Sequence, residues 1–270
     1  MWRICVAGAT GQMGRMVIEA LKSASDLQLT SALSRKRGSS IGKSATAFIE
    51  WDTDIVITDD LDRALSNVEC LIDFSAPDAT SEYIDACIRH NVAMVIGTTA
   101  HDKAALSKIK SAAAYIPILH APNLSIAASV MARLLAQAAA ILPNYDVEIL
   151  EAHNRNKIDA PSGTALWLGQ VAAEARGYPA LEVAIRARDS EEGPRKNGTI
   201  GMASIRGGSI VSEHTAMLLG EQDRIEIRHL CDARSIYAQG SLRCARFLQT
   251  QRPGLYDMSD IVGFSTTSKL

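Results

Sequence analysis

The stretch VAGATGQMG, Val6–Gly14, decides the fold class of the N-terminal half of the chain. It follows a short apolar run and opens a segment from Gln12 to Ala24 whose apolar residues recur with helical spacing. Gly8, Gly11 and Gly14 allow the backbone to approach a pyrophosphate, and the start of a helix offers unpaired N–H groups. Their spacing is G-x-x-G-x-x-G, not G-x-G-x-x-G, so a glycine turn without a ligand is the alternative interpretation. The stretch predicts a strand, a turn and a helix that could bind a dinucleotide.

Short apolar runs alternate with helical patterns from the N-terminus to about residue 124. The runs that resemble strands are RICVAG, LQLTSAL, CLIDFS, VAMVIGTT and YIPILHAPN, and helices are predicted for 12–24, 78–90 and 102–113. Strands rich in Val, Ile and Leu that alternate with helices favour a parallel sheet covered on both faces. The predicted fold class is therefore α/β, with an N-terminal Rossmann-like, doubly wound domain.

The pattern changes after residue 124. A long apolar helix is predicted for 125–142, followed by the extended segments YDVEILEAH, GTIGMASIRGGSIVSEHTAMLL and DRIEIRHL. The pair Gly207-Gly208 predicts a tight hairpin between two of these strands. Together they predict an inserted α+β domain with a mixed, largely antiparallel sheet. Because SIYAQGSLRCARFLQT returns to helical spacing, the predicted domains are 1–124 with 235–270, and 125–234.

Polar or glycine-containing loops follow most predicted strands of the first domain. They read SRKRG, DFSAP, GTT and APNLS. Ligands of parallel α/β sheets bind in the crevice outside the carboxyl ends of the strands. Together with the glycine turn, these loops predict a crevice that holds a ligand.

A basic turn, Ser34 followed by Arg35, Lys36 and Arg37, occupies the position that distinguishes two cofactors. A ribose 2′-hydroxyl is usually held by Asp or Glu about 20 residues beyond the glycine motif, whereas a 2′-phosphate is met by Arg. This turn offers three cations and no carboxylate. We therefore predict a preference for NADPH, with NADH as a possible second donor. A solvated basic turn is the alternative.

The composition excludes several classes of function. The chain has 270 residues, 47% hydrophobic and 21% charged, and a net charge of −2, as is typical of a globular protein. This balance gives no general attraction for nucleic acid or an anionic membrane, so the predicted partners are small molecules. No apolar run is long enough for a membrane span or a signal peptide, and the five cysteines show no CxxC spacing. We predict a cytoplasmic protein with buried thiols.

A second unusual stretch, EAHNRNKIDAPSGTA, spans Glu151 to Ala165. A polar run containing His153 and Lys157 precedes a Pro-Ser-Gly-Thr step, where an apolar helix begins. Gly163 and Thr164 would leave first-turn amides open to a carboxylate, with the threonine hydroxyl as a further donor. Histidine titrates near neutrality, so an imidazole beside an ammonium could supply a proton to a reduced substrate. A Ser-capped helix after a solvated loop is the alternative interpretation.

Other kinds of site find less support in the sequence. It contains no G-x-S-x-G elbow and no H-E-x-x-H motif, and no cysteine lies near the second stretch. For the pair Glu213 and His214, on a predicted strand, a structural or interface role is favoured over zinc binding. GSSIGKS, Gly38–Ser44, is one residue short of the phosphate-binding motif G-x-x-x-x-G-K-[ST]. We therefore predict neither a metal site nor nucleoside triphosphate hydrolysis.

Six motifs together resemble the 4-hydroxy-tetrahydrodipicolinate reductase family, formerly called dihydrodipicolinate reductase. They are VAGATGQMG, GTT, APNLS, EAHNRNKIDAPSGTA, GTIGMASIRGGSIVSEHTAML and GLYDM. The resemblance covers nearly the whole chain, and KIDAPSGTA is its most specific part. It implies a homotetramer with an N-terminal domain that binds NAD(P)H and a second domain that binds a cyclic dicarboxylate and forms the tetramer core. It also implies hydride transfer to ring carbon 4 in lysine and diaminopimelate biosynthesis.

Carried onto this sequence, the family motifs assign residues to three roles. His153 and Lys157 would donate protons, while Asn154, Gly163 and Thr164 would bind the substrate. The cofactor-binding positions would be Gly8, Ala9, Thr10, Gly11, Gln12, Met13, Ser34, Arg35, Gly97, Thr98, Thr99, Ala121, Pro122, Asn123 and Leu124.

Two positions depart from the family pattern. Asn154 stands where the family commonly has the second His of Glu-x-His-His, and an amide cannot carry that charge to a substrate carboxylate. Ser34 stands where the family often has Glu or Asp, which adds to the NADPH prediction.

Two other functions fit the same scaffold. A redox sensor that binds NADP without turnover would tolerate a damaged catalytic loop, whereas His153, Lys157 and SGT are all present. A different two-domain dehydrogenase acting on a semialdehyde or a hydroxy acid is another alternative, and acylating semialdehyde chemistry would require a suitably placed cysteine. Reduction of the cyclic dicarboxylate is therefore favoured over both.

Overall fold

The computed structural model describes residues 1–178, 184–185 and 193–263, with 184–185 described as backbone only. Parts of both predicted domains, 179–183, 186–192 and 264–270, lie outside the described residues. The chain divides into two compact units, one formed by Met1–Ser125 with Ser235–Leu270 and the other by Ile126–Arg234.

Helices and strands alternate along most of the described chain. The helices are α1 (Gln12–Lys22), α2 (Leu61–Leu65), α3 (Pro77–His90), α4 (Lys103–Ala112), α5 (Ile126–Ile141), α6 (Gly163–Ala175), α7 (Ser235–Leu248) and α8 (Met258–Val262). The strands are β1 (Trp2–Ala7), β2 (Leu27–Leu33), β3 (Ile57–Thr58), β4 (Cys70–Asp73), β5 (Ala93–Ile96), β6 (Pro117–His120), β7 (Asp146–His153), β8 (Ala184–Ile185), β9 (Ile200–Arg206), β10 (Ser212–Leu219), β11 (Arg224–Cys231) and β12 (Gly254–Tyr256).

The first unit contains a seven-stranded sheet in the order β12-β6-β5-β4-β1-β2-β3. Every neighbouring pair is parallel, which confirms the predicted doubly wound sheet. The strand order reverses between β1 and β4, where doubly wound sheets form their ligand crevice. All four residues of β4 and of β5 are buried, because helices cover both faces of a parallel sheet.

Side-chain caps and special backbone conformations set several helix ends in this unit. The Asp102 carboxylate accepts a hydrogen bond of 2.7 Å from the Ala105 amide and so caps α4. Pro77 opens α3, where its fixed φ suits the first turn, and Asn91 ends that helix in the left-handed conformation. The predicted helices therefore occur with ends displaced by one or two residues.

The second unit contains a mixed five-stranded sheet in the order β11-β10-β7-β9-β8. β10 is antiparallel to both of its neighbours, whereas β9 is parallel to both of its own. The predicted hairpin at Gly207-Gly208 is wrong, because β7 lies between β9 and β10. The loop from Gly207 to Val211 crosses over β7 instead of turning back between neighbouring strands.

Helices α5 and α6 cover one face of this second sheet. The core between them is formed by aliphatic side chains from both layers, including Leu135, Ile149, Leu168, Met202 and Leu218. The opposite face of the sheet carries Ile205 and Leu230, which are 48% and 51% exposed. The sheet thus has one covered face and one partly apolar open face within its own unit.

The five cysteines are all buried and unpaired, as predicted. They are Cys5, Cys70, Cys87, Cys231 and Cys244. Among the described residues, no helix combines the length and apolar character needed to cross a bilayer.

Candidate active site

The glycine turn of the first unit lies between the end of β1 and the start of α1. Gly8 has a φ of +74°, and a Cβ there would collide with the carbonyl oxygen of Phe74. A Cβ at Gly14 would collide in the same way with the carbonyl of Gly8. Gly11 is the N-cap of α1, and no side chain caps this helix start. The turn is therefore compact and leaves the first amides of α1 accessible to an anion, which fits a dinucleotide pyrophosphate.

Phe74 joins the loops after β1, β4 and β5. Its ring occupies the space that a side chain at Gly97 would need, and its backbone packs against Gly8. The buried Asp73 carboxylate accepts hydrogen bonds from Ser75 and Thr80, at 2.5 and 2.8 Å from their hydroxyls. Burial raises the pKa of Asp73 despite these bonds. Together these contacts fix the loops at the point where the strand order reverses.

In the turn after β2, Ser34 points into the protein and Arg35 lies at the surface. Ser34 is buried, and its hydroxyl lies 3.3 Å from that of Thr10 in the glycine turn. Arg35 is exposed, and its guanidinium has no hydrogen bond or ion pair with the described residues. Lys36 instead pairs with Glu82 at 2.8 Å. Ser34 thus joins the crevice, while Arg35 remains available to a phosphate.

The remaining cofactor candidates follow β5 and β6 at the same edge of the sheet. Thr98 is buried, and its hydroxyl accepts a hydrogen bond of 3.0 Å from the Ser75 amide. After β6, the Asn123 side chain accepts a hydrogen bond of 2.8 Å from the Ser125 amide. Gly97, Ala121 and Leu124 are at least partly buried, whereas Thr99 and Pro122 are exposed. Because neighbouring parallel strands end at one edge, the structure brings all these positions to the predicted crevice.

In the second unit, β7 carries Glu151 and His153 on the same face of the sheet, because strand side chains alternate. His153 Nδ1 lies 2.6 Å from Glu151 Oε2, and both residues are buried. The guanidinium of Arg206, at the end of β9, donates two hydrogen bonds of 2.7 Å, one to each carboxylate oxygen. The predicted acid His153 is therefore held by a buried carboxylate that is itself paired.

The start of α6 is connected to the same carboxylate. The Ser162 amide donates to Glu151 Oε1 at 3.2 Å, and the Ser162 hydroxyl caps the helix through the Ala165 amide. Gly163 is exposed at the first helical position, and the space around its missing side chain is open. One carboxylate thus fixes both the imidazole of His153 and the helix start that presents amides to an anion.

The loop between β7 and α6 positions the two other candidate residues. The Lys157 ammonium lies 2.8 Å from the Asp159 carboxylate. The Asn154 side-chain oxygen accepts a hydrogen bond of 3.0 Å from the Asn156 amide. Its amide nitrogen has no partner among the described residues, so it can donate to a ligand. Thr164 is partly buried in the first turn of α6.

His214 on β10 also contacts this cluster. Its ring makes an edge-to-face contact with His153 at 5.4 Å, and its Nε2 lies 3.1 Å from the Ser162 hydroxyl. No group of three residues suited to holding a metal occurs among the described residues.

Burial, hydrogen bonds and charges shift several pKa values in this cluster, including those of Glu151, His153 and His214. Burial opposes ionisation of Glu151, but hydrogen bonds from Arg206, Ser204 and His153 outweigh it and hold the pKa of this carboxyl at about 2. Burial lowers the pKa of His153 although its hydrogen bond to Glu151 acts in the opposite direction. Burial and the neighbouring His153 lower the pKa of His214 to about 3. Glu151 is therefore ionised, and His214 is neutral, at physiological pH.

The sequence interpretation did not predict that Glu151, Arg206 and His214 lie around His153. The alternation Glu-x-His on a predicted strand could have indicated the Glu151–His153 contact, since residues i and i+2 share a face. Nothing local could have indicated Arg206 or His214, because they reach the cluster through the pairing of β7 with β9 and β10.

Comparison with known proteins places the chain among a defined group. The family model for the N-terminal domain of dihydrodipicolinate reductase matches residues 2–124, and that for its C-terminal domain matches residues 127–262. The chain is 48% identical over 262 residues to the 4-hydroxy-tetrahydrodipicolinate reductase of Bordetella pertussis, covering 97% of each. It is 44% identical to the enzyme of that name from Herminiimonas arsenicoxydans, covering 97% of this chain and 98% of the relative.

A solved structure shares the fold. It is a dipicolinate-bound dihydrodipicolinate reductase from Paenisporosarcina sp. TG-14, with a TM-score of 0.74 and 24% identity, covering 95% of this chain and 97% of that one. The two family models cover almost the entire sequence, and both of these curated relatives match 97% of it. The chain therefore belongs to the dihydrodipicolinate reductase family.

Proposed function

We propose that this chain is an NAD(P)H-dependent oxidoreductase that reduces 4-hydroxy-tetrahydrodipicolinate to tetrahydrodipicolinate in lysine and diaminopimelate biosynthesis. Membership of the family and the names of the curated relatives support this activity. The observation within the chain that carries it is the Glu151 carboxylate, which holds both the His153 imidazole and the start of α6. A proton donor and a carboxylate cradle are thereby fixed to each other.

The substrate-binding part of the proposal concerns the start of α6 and the loop before it. A ring carboxylate would accept hydrogen bonds from the Gly163 and Thr164 amides and from the Thr164 hydroxyl. The free amide nitrogen of Asn154 would donate another, in place of a charged group. The Lys157 ammonium would exchange its Asp159 partner for the substrate carboxylate, since both are anions of similar geometry.

The catalytic part of the proposal assigns the proton to His153. The 4-hydroxyl group would leave as water to give a conjugated imine, and the reduced nicotinamide, when bound, would supply a hydride to ring carbon 4 of that imine. The chain's own residues would orient the ring and quench the negative charge that develops on it. With Nδ1 held by Glu151, His153 would donate from Nε2, while Lys157 would bind carboxylate and relay protons.

The cofactor part of the proposal concerns the crevice of the first unit. The compact glycine turn from Gly8 to Met13 would hold the pyrophosphate, and Ser34 and Arg35 would meet the adenosine ribose or its phosphate. Residues 97–99 and 121–124 would line the nicotinamide. An exposed, unpaired Arg35 and the absence of a carboxylate at Ser34 support a preference for NADPH over NADH.

The assembly and location complete the proposal. We infer a homotetramer built through the second unit, because the open face of its sheet carries exposed Ile205 and Leu230. Light scattering should then give about four times the mass of one chain. A cytoplasmic location suits the five buried, unpaired cysteines.

The activity is tested by supplying the hydroxylated ring from a coupled synthase and following NADPH absorbance. The wild-type chain should oxidise NADPH only when the ring is present. His153→Gln and Lys157→Ala should each lower kcat at least about 100-fold, since a positioned proton donor contributes that order of rate. Arg155→Ala, an exposed residue of the same loop, is the control and should keep activity. Absence of NADPH oxidation by a folded wild-type chain would favour the redox sensor.

A further inference from the structure

We propose that Glu151 and Arg206 are positioning residues for His153. Glu151 fixes the orientation and tautomer of the ring, and Arg206 holds the Glu151 carboxylate in place and offsets its negative charge. The inference rests on the proposed role of His153 and extends it to two side chains that touch neither substrate nor cofactor in that proposal.

The first argument is the saturation of the Glu151 carboxylate. Its side chain is fully buried, yet it accepts at least four hydrogen bonds, which satisfy both oxygens. Two come from Arg206 at 2.7 Å, one from His153 at 2.6 Å and one from the Ser162 amide at 3.2 Å. A buried carboxylate with this many donors is held in one place and stays ionised.

The second argument concerns the two ring nitrogens of His153. A carboxylate can only accept, so the proton of a neutral imidazole must lie on Nδ1, which faces Glu151. Nε2 then carries the lone pair in the neutral form and the transferable proton in the charged form. Among the described residues, Nε2 has no hydrogen-bond partner. Nε2 is therefore the ring nitrogen that can exchange a proton with a ligand.

The third argument concerns why Arg206 is needed. A carboxylate facing an imidazole without compensation would favour the imidazolium strongly and hinder proton release. Arg206 offsets that charge through two parallel hydrogen bonds, and the Asp159 carbonyl oxygen and its own neighbour Ile205 hold the guanidinium in turn. The pair therefore orients His153 without trapping its proton.

The charged and titratable groups around His153 come from four elements. Glu151 favours its protonated form, whereas Lys157 and Arg206 disfavour it. His214, at an edge-to-face distance of 5.4 Å, has a pKa of about 3 and is neutral in the working range. The full set is Glu151 on β7, Lys157 and Asp159 in the following loop, Arg206 on β9 and His214 on β10.

A purely structural pair makes a different prediction. If Glu151 and Arg206 only fastened β7 to β9, removing either would lower stability but would leave the pH profile of kcat in place. Positioning residues of opposite charge must instead move that titration in opposite directions. A shift of the His153 titration in the expected direction, accompanied by the same shift in the pH profile of kcat, is therefore the readout that separates the two roles.

The experiment follows the His153 ring by NMR in the ligand-free full chain, with His153→Gln used to assign its signals. Glu151→Gln should lower the His153 pKa by about one unit, a tenfold change in the protonated fraction above that pKa. Arg206→Met should raise it by a similar amount. Glu148→Gln is the matched control, because Glu148 lies on the same strand and pairs with Arg195, and it should leave the titration unchanged.

Turnover provides the second readout. In Glu151→Gln, the descending alkaline limb of kcat should move to lower pH by the same one unit, with a smaller change in KM. Arg206→Lys, which keeps the charge, should restore the His153 titration that Arg206→Met alters. If Glu151→Gln does not fold, the comparison of Arg206→Met with Arg206→Lys supplies the test.

The outcomes separate the two proposals. Shifts in the same direction, or no shift, in folded Glu151→Gln and Arg206→Met would overturn the positioning role whatever the activity. Opposite shifts would support it. If these occurred in a chain without reductase activity, the proposed function would fail while the positioning of His153 stood.

Discussion

At the scale of single residues, Ser34 and Arg35 illustrate how two neighbours can serve one cofactor differently. The Ser34 hydroxyl is 3.3 Å from that of Thr10, so it belongs to the wall of the crevice. Arg35 is exposed and unpaired among the described residues, whereas the next cation, Lys36, is engaged by Glu82. The order of residues in the turn thus leaves one guanidinium available beside the crevice.

Arg35→Ala should therefore weaken NADPH selectively. We expect KM for NADPH to rise about tenfold, corresponding to a lost charged hydrogen bond of about 1.5 kcal/mol, with little change for NADH. Lys36→Ala is the matched control and should change either KM much less. Steady-state kinetics with both cofactors measure this, and an equal loss for both would contradict a 2′-phosphate contact.

At the scale of elements, the start of α6 combines a structural cap with a proposed binding surface. The Ser162 hydroxyl caps the helix through Ala165 and also meets His214, while its amide is bound by Glu151. The following Gly163 stays exposed. The cap is therefore directed inward, while Gly163, the first helical residue, lies on the open side.

Ser162→Ala should lower the free energy of unfolding by about 1 kcal/mol, as expected for a lost N-cap, and should also raise KM for the cyclic substrate. Asp60→Ala removes a comparable cap from α2 and is the control. It should cost similar stability and leave KM unchanged. Urea titration measures the loss of stability, and initial-rate kinetics measure KM. An equal change of KM in Ser162→Ala and Asp60→Ala would refute a binding role for the start of α6.

At the scale of the whole molecule, partly buried neutral histidines make stability depend on pH. Burial and the neighbouring His101 lower the pKa of His120 to about 4, from an unfolded value of 6.5. Between these values the unfolded chain binds the proton and the folded chain does not. The contribution of His120 to the free energy of unfolding is therefore fully present above pH 6.5 and declines as the pH falls toward 4.

We expect His120 alone to cost about 2 kcal/mol of unfolding free energy on going from pH 7 to pH 5. His120→Gln should reduce the pH dependence by that amount, although the variant can be less stable at every pH. Urea titrations at both pH values measure the difference. Identical pH dependence of the unfolding free energy in the two proteins would show that His120 is not held neutral in the folded chain.

Much of the molecule is predictable from local sequence because its signals are local. The glycine turn, the alternation of apolar runs and helical periods, and the DAPSGT step each follow from the chemistry of adjacent residues, and the parallel sheet and α6 occur where they indicate. The Gly207-Gly208 hairpin was predicted wrongly because a glycine pair permits a turn without determining which strands pair.

The chain by itself determined which residues could react and where helices and strands begin, since backbone freedom, capping and periodicity act within a few positions. Tertiary structure alone decided that β7 lies between β9 and β10, and so brought Arg206 and His214 to the carboxylate beside His153. Strand order is set by burial of the whole sheet against α5 and α6, a property that no short segment carries.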